Sequence, residues 1–308
     1  MSSVWGATTH EPASLVLSNT DAVLAAVSYA DVFDRAIPIA TLHHHVVGRP
    51  LNMLETALAI DDLVQRGQLV RTDDVVHLPS RHDLAERHDE RAERAKALWP
   101  AAVRWAQRIA ALPLVRMVAV TGGLAAGSLA ATDAIEFFIV ARPRRLWTTH
   151  AFIQRIIEDG AQAGVKLTLG HLCTTTNVAV EHHSLHIANE LANMTVVVGP
   201  PIAQNVRRSN DWVRAYLPGA ADATDASHSV DFRPPRQRGS LEWMLLTPPA
   251  RALEHRHRRH FRPEAPAVAD DDATWWSATC QAGTIVRNAG AIEAAWRERM
   301  SAAKQPTR

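Results

Sequence analysis

Residues 118–140, VAVTGGLAAGSLAATDAIEFFIV, constrain the chain more than any other segment. A buried strand over 116–121 stops at Gly122-Gly123. A small-residue stretch of roughly helical length follows, and then a second strand over 136–140. Glycine at such a turn admits close approach to backbone amides that a Cβ would block. Residues two apart share one face of a strand, so Ala134 and Glu136 are the pair that faces the turn. Asp133 is one residue out of step and points to the opposite face unless a bulge re-aims it.

The 308 residues have room for two modest domains, each with its own core. A formal net charge of +1 supplies no global field toward nucleic acid or membrane. Two cysteines, Cys173 and Cys280, make no disulfide framework and are expected as reduced thiols. No apolar run approaches the roughly 18 residues a bilayer span needs. The opening MSSVWGATTHEP lacks the pattern of a signal peptide, so the expected location is cytoplasmic.

Helical periodicity begins at Asp21, a plausible N-cap, and recurs over 39–46 and from Asn52 to the stop at Gly67. Residues 69–71 and 75–78 flank Thr72-Asp73-Asp74 as a hairpin. Three short helices and a hairpin describe a winged helix over 21–80. Its third helix carries Glu55, Asp61 and Asp62 against Arg66 alone, which suits a protein partner or self-association better than DNA phosphates. A long helix of mixed charge, kinked or broken at Pro100, connects this unit over 81–112. Strands and helices then alternate over 113–218, giving an α/β domain. Residues 219–240 read as a loop, and helices are expected at 241–246, 249–261 and 273–300, the last interrupted near Gly283, making a C-terminal helical region over 241–300.

Several stretches beyond the glycine pair carry a family likeness. They include Tyr29-Ala30-Asp31-Val32-Phe33-Asp34, Leu78-Pro79-Ser80-Arg81, Arg145-Leu146-Trp147 and the run of residues 210–218. Together with the glycine turn and acidic strand, these resemble the nucleotidyltransferase superfamily, the polymerase-β-like fold. The likeness is to a bacterial and archaeal group with an N-terminal winged helix, and it covers roughly residues 21–260. It implies transfer of a nucleoside monophosphate from a nucleoside triphosphate to an acceptor, with magnesium ions held by paired strand carboxylates. Carried over by position, Gly122, Gly123 and Ser128 contact nucleotide, and Arg144 and Arg145 neutralise triphosphate. Glu136 holds metal, with Asp133 as the second acid. The family pattern has Asp-x-Asp where this chain reads Ala134-Ile135-Glu136, so the resemblance implies a degenerate metal site and a protein poised between weak enzyme and binding or scaffold protein. The next strand, residues 165–169 continuing to Gly170-His171, offers no third acid.

Other readings compete for the same residues. Gly122 to Ser128 fits a P-loop without its lysine, and Thr121-Gly122-Gly123 is a fragment of a dinucleotide-binding turn. His182 and His186 share a helix face and, with His171 or Cys173, have the donors of a zinc site. HRHRRHFR, residues 255–262, is the most basic stretch and reads as a solvated helix end offset by Asp270-Asp271-Asp272, or as a phosphate-binding patch.

Overall fold

The computed structural model describes residues 17–180, 183–222, 228–261, 276–277 and 284–304. Within them the chain is a mixed α/β protein built on two small sheets. Among the described residues no helix is long and apolar enough to cross a membrane.

The N-terminal unit runs α1 (Asn19–Val32), β1 (Ile37–Pro38), α2 (Ile39–His45), α3 (Met53–Gln65), β2 (Val70–Thr72) and β3 (Val75–His77). Ser18, not Asp21, caps α1: its hydroxyl accepts the Asp21 amide at 3.0 Å, and Asp21 stands in the first turn. Asn52 caps α3 in a reciprocal box with Glu55. The hairpin turns through Asp73 at φ 51, and β3 lies between β1 and β2 in an antiparallel sheet. Helix α1 is buried almost throughout, and its Asp31 is held by Arg81 at 3.0 Å and Arg299 at 2.6 Å.

The connector is α4 (His82–Glu86) followed by α5 (His88–Ala110). It breaks at Arg87, whereas α5 runs through Pro100. Ala95, Ala102, Trp105 and Ile109 place one face of α5 in the core of the larger sheet, so this helix belongs to the second unit.

That sheet contains β4 (Val115–Thr121), β5 (Ile135–Ala141), β6 (Leu167–Thr174), β7 (Thr195–Val198) and the short β8 (Trp276–Ser277) in the order β7-β4-β5-β6-β8. Only β5 and β6 run parallel. Strand alternation divides it cleanly. Val118, Val120, Phe137, Ile139 and Leu172 pack with α5 and α7 (Leu146–Gln162). Met117, Ala119, Phe138, Val140 and Cys173 pack with α8 (Leu185–Ala192) and α9 (Pro200–Ser209).

Further expectations change. The stretch after the glycine pair is helical for one turn only, α6 (Gly122–Ala125). Pro200-Pro201 start α9, since proline costs little where an amide has no helical partner. Residues 219–240 are not all loop: a 3-10 turn covers Pro218–Asp222, and the Val230 amide donates to Val197 O at 3.0 Å. The helix expected over 273–300 starts at Thr284, next to the interruption expected near Gly283, and residues 276–277 ahead of it are the short strand β8. Cys280, His182 and Asp270-Asp271-Asp272 lie outside the described residues.

After α10 (Val213–Tyr216) and α11 (Arg238–Leu245), the chain returns over both units. Glu254 of α12 (Pro248–Phe261) accepts the Trp147 and Thr148 amides at 2.9 and 2.8 Å and so caps α7 across the interface. Helix α13 (Thr284–Lys304) lies on α1, with Trp296 Nε1 donating to Ala25 O at 2.9 Å. Replacing Glu254→Ala strands two amides at the start of α7. A loss of about 1–2 kcal/mol in urea-monitored stability is expected, with Glu254→Gln recovering part of it.

Candidate functional site

A cavity of about 590 Å³ lies between the second face of the larger sheet, α8, the end of α1 and α13. Its chemistry comes from Glu136, Glu190, His171, His186, Arg35 and Arg91. Each arrives for a local reason. Ile135 and Phe137 face the α5–α7 core, so alternation turns Glu136 to the cavity side, directly across from Thr121 on β4. On β6, Phe137 pairs with Leu169 but Phe138 pairs with His171, so Gly170 is an extra residue bulged out of the ladder. That one-residue shift moves His171 off the face it would share with Leu169 and onto the Glu136 side. On α8, Ile187 and Leu191 bury toward the sheet, and His186 and Glu190, one turn apart, share the flank that lines the cavity.

The glycines serve the glutamate. A Cβ on Gly170 would sit 2.1 Å from Glu136 Oε1, and one on Gly122, at φ +66, would sit 3.0 Å from Oε2. Gly123 makes room for Ser128 O at 2.8 Å and Asp133 Oδ2 at 3.3 Å. The expected phosphate cradle is therefore filled in large part by the protein's own carboxylates.

Glu136, His171 and Glu190 form a cluster in which one ligand atom from each lies within 4.8 Å of the others. Burial, and then the charge of Glu190, pushes the Glu136 carboxyl up to about 8. Burial also raises Glu190, against the pull of Arg35. Burial holds His171 down to about 3 and His186 to about 4, so both imidazoles are neutral at physiological pH. The His171 ring stands edge-on to Phe138 at 5.6 Å between centroids, and Tyr29 Oη lies 3.1 Å from His186 Nδ1. Arg35 is anchored differently. Its guanidinium lies 5.6 Å from the Phe33 ring centroid, its Nε is buried without a hydrogen-bond partner, and no ion pair to it exists among the described residues.

The structure sorts the residues expected from sequence. Glu136, Gly122, Gly123, Ser128 and Asp133 all line the cavity, and Ala134 stands beside them where the first metal acid of the pattern belongs. Asp133 is an exposed rim residue. It precedes β5, its carboxylate accepts the Ala130 amide at 2.8 Å, and it is not part of the cluster with Glu136. Ser128 Oγ accepts Arg91 Nε at 2.9 Å. Arg144 and Arg145 are at the wrong end: β5 continues from Glu136 to Ala141 before reaching them, about 17 Å at ~3.3 Å per residue. Arg145 instead donates to Leu245 O at 2.9 Å and ties the sheet to α11. The acid that stands beside Glu136 is Glu190, which arrives from a helix and not from the next strand. Cys173 is fully buried in the apolar cluster with its thiol pushed up by desolvation, so the Cys173 zinc arrangement is not formed. Because β4 and β5 are antiparallel neighbours, the turn between them is neither a P-loop nor a dinucleotide-binding turn, both of which join parallel strands.

The donor set does not fit the magnesium pair that the family resemblance implies. Magnesium takes near-octahedral oxygen shells, and a two-ion site needs carboxylates bridging both ions. Here the strand supplies one glutamate beside an alanine, and the nearest further donors include an imidazole nitrogen. No protein-family model, no curated protein and no solved structure matches the chain.

Two outcomes are expected. Gly170→Ala drives a methyl into Glu136 and should cost about 1–3 kcal/mol, with a much smaller cost when introduced on a Glu136→Ala background. The raised Glu136 carboxyl also sets a pH dependence. Below its unfolded value of 4.5 the group is protonated in both states. As pH rises from there toward about 8, the unfolded chain releases the proton while the folded chain keeps it, so stability falls across this window and levels off above it. Melting curves from pH 5 to pH 9 should show that decline, reduced in Glu136→Gln.

Proposed function

We propose that residues 21–80 are a winged helix, that residues 113–218 are a nucleotidyltransferase-like domain, and that the chain binds a nucleoside triphosphate without performing two-magnesium transfer. The mixed sheet, with its glycine turn leading to an acidic strand, supports the fold reading. The observation that carries the binding reading is Arg35. Arg35 feels the charge of Glu190 but makes no ion pair with it among the described residues, and its buried Nε has no hydrogen-bond partner; in a cavity also lined by Arg91 it is a receptor for phosphate oxygens, which arginine meets in pairs. The impaired-catalysis reading rests on Ala134 and on a donor set that does not suit paired magnesium ions.

The N-terminal unit supports a protein contact over a DNA contact. On α3, Met53, Leu54 and Leu58 are 60, 68 and 61% exposed, and the cation Arg66 is paired to Asp62 at 2.5 Å. Such a face lacks the cations that phosphates require and offers apolar surface instead.

Calorimetry with ATP, CTP, GTP and UTP tests the proposal. Binding of at least one is expected, changing little with magnesium and weakened about tenfold or more in Arg35→Ala, in line with ~1.5–3 kcal/mol for a hydrogen bond to a charged group. No binding of any of the four sinks it. Tight duplex binding that falls steeply with salt would replace it with a DNA-binding regulator.

A further inference from the structure

We infer that Glu136, His171 and Glu190 form a binding site for one divalent first-row transition ion, of the zinc, cobalt or manganese class. The inference is independent of the nucleotide reading. The three side chains come from β5, β6 and α8, and their ligand atoms all lie within 4.8 Å of one another. Tetrahedral ligands at about 2.0–2.2 Å from one ion stand roughly 3.3–3.6 Å apart, so side-chain rotations that close the cluster by up to about 1.5 Å complete the shell. An imidazole nitrogen among two carboxylates selects against magnesium and calcium and toward ions that accept mixed nitrogen and oxygen donors.

Two further observations point to a ligand at this place. Thr121 is 1% exposed and stands opposite Glu136 in the ladder, and its hydroxyl lies against the Glu136 and Glu190 carboxylates without a well-formed hydrogen bond to either. Glu190 Oε2 is likewise buried without a well-formed hydrogen bond, with the Gly122 backbone and the Thr121 hydroxyl beside its carboxylate. Buried polar atoms left without well-formed hydrogen bonds are costly, and two of them beside one cluster mark a position where something binds. The site is also built to hold its donors. Gly122 and Gly170 fix the Glu136 carboxylate from both sides, and the bulge at Gly170 turns His171 toward it. Three protein donors leave positions open toward the cavity for water or another ligand, the arrangement of catalytic rather than structural metal sites.

Titration of the purified full chain with cobalt(II) and manganese(II), followed by visible absorption and electron paramagnetic resonance, tests the inference. With 16 histidines in the chain, other sites will also take metal, so the readout is the class of site lost on substitution. Glu136→Gln, Glu190→Gln and His171→Asn should each remove the same single tightest site or weaken it tenfold or more, while Asp133→Asn leaves it intact. Magnesium in millimolar excess should not displace the ion. Circular dichroism identifies any variant that fails to fold, and folded Asp133→Asn is the control that keeps the site. Retention of the tightest site in folded Glu136→Gln and Glu190→Gln, or no tight site in the unsubstituted protein, overturns the inference. Nucleotide binding measured in the same variants without metal separates this outcome from failure of the nucleotide reading.

Discussion

The architecture around the cavity turns on getting one carboxylate, that of Glu136, into the narrow space between two backbones. Strand alternation carries Glu136 to the inner face of the sheet whether or not that face can receive it. Reception depends on missing side chains: Gly122 at the end of β4 and Gly170 in β6 leave room that any Cβ would occupy. The same Gly170 is the bulged residue that changes the parity of β6, so one glycine both admits the glutamate and aims His171 at it. Glu190 then completes a group of polar side chains that is stable only because α8 is fixed on two sides, by Ile187 and Leu191 against the sheet and by Leu185 and Ala188 against the N-terminal unit.

Much of this was legible in the chain and part of it was not. The α1–β3 order, the Asn52 cap, the hairpin at Asp73 and the two strands around the glycine pair follow from local chemistry, and they stand where periodicity and turn residues put them. Glu136 facing inward with Ala134 beside it in the cavity wall also follows from a period of two. Glu190 was hidden because its role depends on which flank of α8 meets the sheet, a tertiary fact with no local signature. His171 did leave a signal. An isolated glycine inside the apolar run Leu167 to Leu172 indicates a bulge, and a bulge inverts every face assignment after it. Arg144 and Arg145 were misjudged for the opposite reason: proximity in sequence to the acidic strand means distance in space once a strand of full length intervenes.

The same logic separates the two glycine roles. In the family that the chain resembles, a glycine pair gives way to phosphate. Here Gly122 gives way to Glu136, and Gly123 to Ser128 and Asp133. A sequence pattern records that space is needed at a position without recording what fills it. The surrounding structure decides this, and in this chain the occupant is internal.

Helix α13 has a consequence for how the molecule comes into being. Ala291 and Ile292 close one side of the cavity, and Trp296 and Arg299 fasten the helix to α1, some 270 residues earlier in the chain. Emerging N-terminal first from a ribosome, the nascent protein exposes β1 to β7 well before α13, and β8 only a few residues ahead of it. Until that late segment docks, the end of α1 stays uncovered and the pocket stays open on one flank. The contact that closes this flank of the cavity is therefore one that joins parts of the chain some 270 residues apart.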